Sequence, residues 1–394
     1  MWQNKSRLLI GFILTLEVTC LSSFTAGANF DGKSARELTA VSDSLKQAVD
    51  QQEIAGASCL VLHEGKVVYR NAFGYADLES KRKFTTEELI PIASISKPFL
   101  ASVVMRLIDQ GKLNLDDPVE QYLSEFRGIK VRGLSTKTNQ MTIRHLLSHT
   151  AGFWGNKDIT PKKLDLIRNF ERPLYDAVQR MAEYDLIYEP GTKWVYSGSG
   201  YCVAGRVLEV ALGQSIERIS QETLFRPLDL DKTTFLPSSK QLESIPTRYL
   251  RIDGKLTKQP AMTKANKLRF VLPGGSLFTS LDNLGTFGQM HLDNGVYGGK
   301  QILTEDSVAE MRRLQSPQTS NRSYGLGWFR DDIADTGLAD LTYHGGSLGG
   351  HFRVDRKRKL VCIFLVHQTG SQVQSLKNEI VKKINDVFPL RQEQ

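Results

Sequence analysis

Cysteine is scarce in this sequence, with 4 residues in 394. Cys20 lies in an N-terminal segment that we predict is removed, and the odd number that remains argues against a disulfide framework. Cys59, Cys202 and Cys362 each lie among apolar residues, so we predict buried thiols that serve neither catalysis nor metal binding. Glycine (32) and proline (13) are too few for a collagenous or low-complexity chain.

Concentrated charge is also lacking. Lysine and arginine (51) exceed aspartate and glutamate (43), for a net charge of +8, but the basic residues are spread along the chain. The two densest runs, 81–83 and 356–359, are short, contain no aromatic residue and are predicted to lie in turns. Nucleic-acid binding needs a clustered basic face and is therefore disfavoured. The hydrophobic fraction of 40% excludes a disordered chain and predicts one large globular unit or two closely packed lobes.

The most marked apolar stretch, residues 8–16, lies at the N-terminus behind two basic residues. A small-residue region ending at Ala28 follows it, and this order is typical of a secretory signal peptide. We predict a signal peptide over residues 1–28, cleaved after Ala28, and an exported protein that is periplasmic or secreted. The alternative is that the segment stays on the protein as a membrane anchor. A spanning helix needs about 20 consecutive apolar residues, however, and Glu17 ends this stretch well before that length.

The apolar periodicity differs between the ends and the middle of the chain. The middle, residues 91–310, has mainly helical periodicity. Segments near both ends have other patterns: strands at 57–62, 67–73, 325–330, 341–344, 350–354 and 360–367, and helices at 38–52 and 372–387.

These patterns predict an α/β protein of the α+β type. Both chain ends form one antiparallel sheet flanked by helices, and the middle forms an inserted, mainly helical lobe. One domain would cover residues 29–394, with its sheet lobe at about 35–90 and 311–390 and its helical lobe at about 91–310. Because pockets form between lobes, we expect the functional site at their junction.

A candidate nucleophile lies in the motif Ser94-Ile95-Ser96-Lys97, which precedes an apolar helical stripe. At a spacing of three on a helix, the Ser94 and Lys97 side chains share a face, so a neutral lysine amine can deprotonate the serine hydroxyl. Pro98 fits the first helical turn, where its missing N–H needs no partner. Ordinary helix capping by Ser94 or Ser96 is the alternative.

Two other serine motifs compete with this one. Ser80 and Lys83 have the same spacing, but they lie in a charged stretch that no helix follows. Ser347 lies in a G-x-S-x-G sequence, which is typical of the nucleophile of α/β-hydrolases. That fold needs an acidic residue and a histidine on later βα units, and the chain after Ser347 contains only a predicted hairpin and one helix. We therefore prefer Ser94.

A histidine pair has the spacing of a zinc helix. His145 and His149 are four residues apart, but Leu146 replaces the glutamate of H-E-x-x-H, and no third ligand group stands out. We predict structural, hydrogen-bonding histidines. No metal and no organic cofactor is expected, and no glycine-rich phosphate loop is present.

The Ser94 and Lys97 motif and the rest of the chain resemble the superfamily of serine β-lactamases and penicillin-binding proteins. Within it, the resemblance is to the branch of class C β-lactamases, D-amino-acid carboxypeptidases and aminopeptidases, and the esterases that share their fold. It covers nearly all of the mature chain, and four stretches carry it, at residues 92–97, 141–152, 189–201 and 344–346.

The resemblance implies roles for further residues. Tyr196 takes the place of the family's tyrosine, which relays protons between the serine, the lysine and the leaving group. His344-Gly345-Gly346 takes the place of Lys-Thr-Gly. His344 would hydrogen-bond or charge-stabilise the substrate, and the glycines would let the backbone and the acyl group approach each other closely. The main-chain N–H groups of Ser347 and Ser94 would form the oxyanion hole. A core aromatic at Tyr196, and a bulge or tight turn at the glycines, are the alternatives.

The sequence departs from the family pattern at two positions. Gly198 replaces the asparagine of Tyr-x-Asn, which holds the substrate amide, and His344 replaces a lysine with a weaker, pH-dependent charge. Both changes favour an esterase or peptidase-like hydrolase that forms an acyl-enzyme at Ser94 with Lys97 and Tyr196 as acid and base. A true class C β-lactamase, or a penicillin- or peptide-binding module without turnover, stays open. The expected partner is a small-molecule or peptide substrate, cell-wall derived or a small ester.

Overall fold

The computed structural model describes residues 38–134, 139–260, 270–320 and 322–390; the predicted signal peptide lies outside these ranges. The strands are β1 (Gly56–His63), β2 (Lys66–Asp77), β3 (Arg82–Lys83), β4 (Ile90–Pro91), β5 (Tyr249–Ile252), β6 (Lys255–Lys258), β7 (Phe278–Thr279), β8 (Val296–Tyr297), β9 (Lys300–Gln301), β10 (Phe329–Ile333), β11 (Ala339–Gly345), β12 (His351–Asp355), β13 (Leu360–Val366) and β14 (Gln368–Thr369). The α-helices are α1 (Thr39–Asp50), α2 (Ser96–Asp109), α3 (Val119–Tyr122), α4 (Ile143–Leu147), α5 (Pro161–Arg168), α6 (Leu174–Met181), α7 (Gly198–Leu212), α8 (Ile216–Ser220), α9 (Ser239–Ser244), α10 (Leu281–Leu292), α11 (Glu305–Arg312) and α12 (Ser371–Val387).

The two ends of the described chain meet in one sheet of seven strands, in the order β10-β11-β12-β13-β1-β2-β3. The N-terminal strand β1 pairs antiparallel with the C-terminal strand β13, with Ala57 opposite Val366 and His63 opposite Leu360. The other neighbours in this sheet are also antiparallel. The predicted sheet, built from both chain ends, is confirmed.

Helices cover both faces of the central strands. Every residue of β13 is buried, which explains why its sequence, LVCIFLV, is a continuous apolar run. Because strand side chains alternate between faces, Cys59 and Val61 pack in a core with α1 and α12, whereas Leu60 and Leu62 pack in the main core with the helices of the middle segment. The sheet therefore has one layer of helices on each side.

The strand predicted at 325–330 begins only at Phe329. The preceding residues run against helices instead of pairing in the sheet. A Cβ on Gly325 would lie 2.1 Å from the main-chain oxygen of Met311, and Gly327 has a φ of +82° close to the first turn of α2. Both glycines are needed for this close approach, which the sequence pattern did not separate from a strand.

The middle segment contains two features that its periodicity did not predict. The hairpin of β5 and β6 is joined by β14 in a three-stranded sheet. Helix α10 lies within the predicted helical lobe but packs on the sheet strands β1, β12 and β13. The helical pattern alone does not show which layer a helix joins, because the apolar stripe of a helix can pack on a sheet or on other helices.

The three cysteines of the described chain are free and buried, as predicted. Burial raises the pKa of the Cys202 thiol to about 12 and that of Cys362 to about 12, and it also raises the pKa of Cys59. Such thiols stay protonated and unreactive at neutral pH. None of the helices in the described ranges is both long and apolar enough to cross a membrane.

Candidate active site

A cavity of about 520 Å³ brings together four of the predicted site residues. Ser94, Lys97, Tyr196 and Ser347 all line it. They come from the start of α2, the segment before α7, and the turn after β11, so the cavity lies where the middle segment meets the sheet. His344, Gly345 and Gly346 are not among the residues that line it.

Ser94 lies in a strained turn at the start of α2. Ala93 has a φ of +47°, in the left-handed region that alanine rarely adopts, and a short 3₁₀ turn over Ala93–Ile95 leads into the helix. The Ser96 hydroxyl holds this turn: it donates to the Ala93 carbonyl oxygen at 2.5 Å and accepts from the Leu277 N–H at 3.1 Å. Ser96 is therefore the structural serine of the motif, and Ser94 is left half-buried at the cavity.

Lys97 is only 3% exposed, and its amine points at Ser94. The distance from Lys97 Nζ to Ser94 Oγ is 3.2 Å, and Nζ also donates to the Gly274 carbonyl oxygen at 2.8 Å. A carbonyl oxygen can only accept, so it takes one N–H, and a neutral amine can direct its lone pair at the serine hydroxyl. No carboxylate in the described chain forms an ion pair with Lys97. The geometry fits a nucleophile beside its base.

Tyr196 is held in the cavity wall by hydrogen bonds on either side of it. Its neighbour Val195 donates its N–H to the His149 carbonyl oxygen at 2.9 Å, and Ser197 donates its N–H to His149 Nδ1 at 3.2 Å. The Tyr196 ring centre is 4.8 Å from Lys97 Nζ. His149 thus orients the tyrosine that the sequence placed in the site.

The two histidines with zinc-like spacing make hydrogen bonds to the backbone, as predicted. His145 Nδ1 accepts from the Thr142 N–H at 3.2 Å and caps α4, and His149 supports the segment of Tyr196. The described residues contain no group of three or more histidine, cysteine, aspartate or glutamate side chains that could hold a metal ion.

His344 differs from its sequence-based expectation. Its side chain is 1% exposed, whereas it was expected to hydrogen-bond or charge-stabilise the substrate. Nδ1 lies 2.8 Å from the Gly345 carbonyl oxygen and must donate to it, so Nε2 is the acceptor for the Tyr324 hydroxyl at 3.3 Å. Burial, and then the charge of Lys97, lower the pKa of His344 to about 3. His344 is therefore neutral and lies behind the cavity wall.

The glycines after His344 allow a close approach between backbones. A Cβ on Gly346 would lie 2.5 Å from the Ile92 carbonyl oxygen, next to the strained turn that carries Ser94. Gly346 also closes the turn from β11 to β12, donating its N–H to the Gly350 carbonyl oxygen at 2.8 Å. Gly346 therefore lies in a tight turn, as in the alternative interpretation, and it approaches the Ile92 backbone; close approach of an acyl group stays a prediction. The approach places Ser347 at the cavity, and its main-chain N–H has no acceptor among the described residues.

Several residues that line the cavity were not identified from the sequence. Gly274 supplies the carbonyl partner of Lys97, and the only signal for it is the turn sequence Pro273-Gly274-Gly275. Trp154 lines the cavity directly after the 141–152 stretch, and Arg168 and Arg248 line it from α5 and from the residue before β5. No local pattern marks these two arginines, because their position depends on long-range packing.

Buried neutral histidines predict acid sensitivity of the fold. Burial lowers the pKa of His344 to about 3 and that of His291 to about 3, against about 6.5 for the unfolded chain. Above pH 6.5 neither state binds the protons, so stability is complete; as pH falls from 6.5, only the unfolded chain binds them. The free energy of unfolding should fall by about 1.4 kcal/mol per pH unit for each histidine. Urea unfolding between pH 7.5 and 5 measures this slope.

The matched variant is His291→Gln, since His291 is buried beside Ser102 and away from the cavity. This variant should lower the slope of the free energy of unfolding against pH by the contribution of one histidine, about 1.4 kcal/mol per pH unit, whatever its effect on absolute stability. Carboxyl groups titrate near pH 4 in the unfolded chain and contribute little above pH 5. An unchanged slope in the variant would contradict the neutral state of His291.

Known proteins resemble this chain in sequence and in fold. The sequence matches the β-lactamase family over residues 41–385. It is 33% identical over 222 residues to the esterase EstB of Burkholderia gladioli, an alignment that covers 54% of this chain and 54% of the esterase. It is 26% identical over 297 residues to an Escherichia coli O157:H7 protein provisionally named a D-alanyl-D-alanine carboxypeptidase, which covers 69% of this chain and 67% of that protein. The chain thus spans about half the length of the esterase.

A solved structure shares the fold. EstCE1, a hydrolase with promiscuous acyltransferase activity, superposes with a TM-score of 0.77 at 23% identity, over 90% of this chain and 99% of its own. At this identity the likeness establishes the fold alone.

Proposed function

The chain belongs to the β-lactamase family, and from this membership and its cavity we propose that it is a serine hydrolase that cleaves an ester or amide through an acyl-enzyme at Ser94. The observation that carries the proposal is the 3.2 Å contact between Ser94 Oγ and Lys97 Nζ inside a substrate-sized cavity. A lysine amine that lies beside a serine hydroxyl, and that no described carboxylate pairs with, can serve as the base for that hydroxyl.

Acylation of the enzyme is the first step. The Lys97 amine reacts in its unprotonated form and takes the hydroxyl proton of Ser94 as Oγ attacks the substrate carbonyl carbon, and the carbonyl oxygen becomes an oxyanion. The main-chain N–H groups of Ser347 and Ser94 stabilise this oxyanion. The carbon to leaving-group bond then breaks, and the leaving group takes the proton from Lys97 through the Tyr196 hydroxyl.

Hydrolysis of the acyl-enzyme is the second step. A water molecule gives a proton to the Tyr196 and Lys97 pair and attacks the acyl carbon, which forms a second oxyanion. Its collapse breaks the bond to Ser94 Oγ, returns the proton to Oγ and releases the acid. Each group therefore returns to its starting state, and the chain's own side chains carry all the protons.

An ester is the preferred substrate class. Gly198 lines the cavity at the position where the family's asparagine holds a substrate amide, so that hydrogen bond is missing here. Esters need no such contact. The similarity to the esterase EstB supports the same choice. β-Lactams and D-amino-acid peptides have amide groups and should be poorer substrates.

The test is the early time course of p-nitrophenyl butyrate hydrolysis by the mature protein. A burst of p-nitrophenol followed by steady turnover is expected, because an activated p-nitrophenyl ester should acylate Ser94 faster than water releases the acyl group. Fast turnover of penicillins with no ester hydrolysis would favour a true β-lactamase. A stoichiometric burst with no further turnover, or binding without release of p-nitrophenol, would identify a non-turnover module and overturn the proposal.

Restoring the amide contact should change substrate preference. A Cβ on Gly198 would lie 3.7 Å from Ile167 Cδ1, which is an ordinary contact, so Gly198→Asn should fold. One added hydrogen bond in the transition state should raise kcat/KM for nitrocefin by up to about tenfold. Gly198→Ala is the matched control, because it adds the Cβ without the amide. Equal effects of the two variants would contradict the explanation.

The site of action is proposed from the N-terminal pattern. A basic start, an apolar stretch at 8–16 and small residues up to Ala28 support export through a cleaved signal peptide. The N-terminal sequence of protein purified from outside the cytoplasm tests this, with Asn29 expected as the first residue.

A further inference from the structure

Basic side chains line the cavity, and no carboxylate does. The basic residues are Lys97, Arg168 and Arg248, and no described residue of the lining is acidic. Lys97 is committed to Ser94 and to the Gly274 carbonyl oxygen. The two arginines are therefore the positive groups that remain for a ligand. His344, which the sequence suggested for this purpose, is neutral and buried behind the wall.

The Arg248 guanidinium has no partner in the described chain. It is half-buried, its Nε is fully shielded without a hydrogen bond, and no carboxylate pairs with it. Carboxylates pair with several other partly buried arginines of this protein. Arg144, for example, is held by Asp116 and Glu310, and Arg312 by Asp340. A partly buried charge without a partner is costly, so an unpaired guanidinium facing a cavity indicates a missing anion.

Arg168 repeats this feature on a second element. It ends α5 and is exposed at the cavity, and it too lacks an ion pair with a described residue. The nearby carboxylates Asp165 and Asp176 pair with Arg172 instead. These two carboxylates are therefore already paired with another arginine.

We propose that Arg248, assisted by Arg168, binds a carboxylate on the substrate and makes the enzyme selective for anionic esters. This inference rests on the proposed hydrolase function. A planar guanidinium matches a carboxylate with two parallel hydrogen bonds, and a shielded site strengthens them. The rest of the lining includes Ile159, Ile167 and Phe170, so the substrate combines an apolar chain with a negative group.

The test compares two esters that differ only in charge. They are mono-p-nitrophenyl adipate, which carries a free carboxylate, and its neutral match, methyl p-nitrophenyl adipate. The wild-type enzyme should prefer the anion by about tenfold or more in kcat/KM. Arg248→Gln should lower kcat/KM for the anion by about tenfold to a hundredfold, mainly through KM, and leave the neutral ester within twofold.

Arg251→Gln is the matched control. Arg251 is an exposed arginine of β5, three residues away, and it does not line the cavity. This variant should leave both substrates unchanged, whereas Arg168→Gln should give a smaller loss on the anion alone. Equal losses on both esters in Arg248→Gln, or no preference for the anion in the wild type, would overturn the inference.

A binding measurement separates this inference from the proposed function. Calorimetric titration of Ser94→Ala with monomethyl adipate and dimethyl adipate reports binding without turnover. Tighter binding of the anion, lost in Ser94→Ala combined with Arg248→Gln, supports the carboxylate site even if no ester is hydrolysed. Equal binding of the two compounds contradicts it even if hydrolysis is fast.

Discussion

Replacing Ser94 by alanine is expected to reduce ester hydrolysis roughly 10⁴-fold or more. In the proposed mechanism, Ser94 Oγ forms the bond to the acyl group. It lies 3.2 Å from the Lys97 amine, and the variant has no other nucleophile at that position. The variant should still fold, because Ser96, and not Ser94, holds the turn through its bonds to Ala93 and Leu277. Steady-state hydrolysis of p-nitrophenyl butyrate and a thermal unfolding curve measure the two effects separately.

Two serine variants serve as controls for this prediction. Ser80→Ala removes the exposed serine of the second S-x-x-K sequence and should leave activity unchanged. Ser347→Ala removes a hydroxyl but keeps the main-chain N–H proposed for the oxyanion, so it should retain activity within about tenfold. Loss of activity in Ser347→Ala with retention in Ser94→Ala would instead support the G-x-S-x-G interpretation.

Replacing Lys97 by methionine should lower kcat about 10² to 10⁴-fold, the usual contribution of a general base. Methionine is close to lysine in length and is apolar, so it can occupy a position that is 3% exposed without burying a charge. The acylation rate, read from the burst phase, should fall together with kcat. Substrate binding should change little, because the amine contacts Ser94 and Gly274.

Lys83→Met is the matched control for Lys97→Met. Lys83 has the same spacing from Ser80 and is exposed over the Tyr75 ring, with its Nζ 4.0 Å from the ring centre. It should have normal kinetics. Full activity of Lys97→Met would show that another group deprotonates the serine and would contradict the proposed mechanism.

The sheet was predictable because short apolar runs between turn residues indicate its strands. Strands such as β1 and β13 are continuous apolar runs bounded by turns, and their position at both ends of the chain leads directly to the observed pairing. The segment 325–328 was not predictable, because close packing of Gly325 against Met311 depends on a helix distant in sequence. Glycine-rich apolar segments fit a strand and a packed loop equally well.

The contact between Ser94 and Lys97 was predictable for a similar reason. Ser94 and Lys97 are three residues apart across a 3₁₀ turn and the first turn of α2, so a near-helical spacing brings their side chains together. Tyr196 and Ser347 needed the family resemblance, since nothing local connects them to Ser94. The structure places both in the same cavity.

The electrostatics of the site were not predictable. A histidine in sequence carries no sign of its burial, and only the Tyr324 and Gly345 contacts show that His344 is neutral. Likewise, the net charge of +8 gave no hint that two arginines face the cavity without acidic partners. Charge state and charge pairing depend on tertiary neighbours, which composition does not contain.

The most direct measurement of the central claim is the site of the covalent intermediate. Wild-type protein is mixed with p-nitrophenyl butyrate, quenched in acid during the burst, and analysed by mass spectrometry of the intact chain and of its peptides. The account predicts a mass increase of one butyryl group per chain, located on Ser94 and absent in Ser94→Ala. A butyryl group on another residue, or rapid turnover with no adduct at any time, would contradict it.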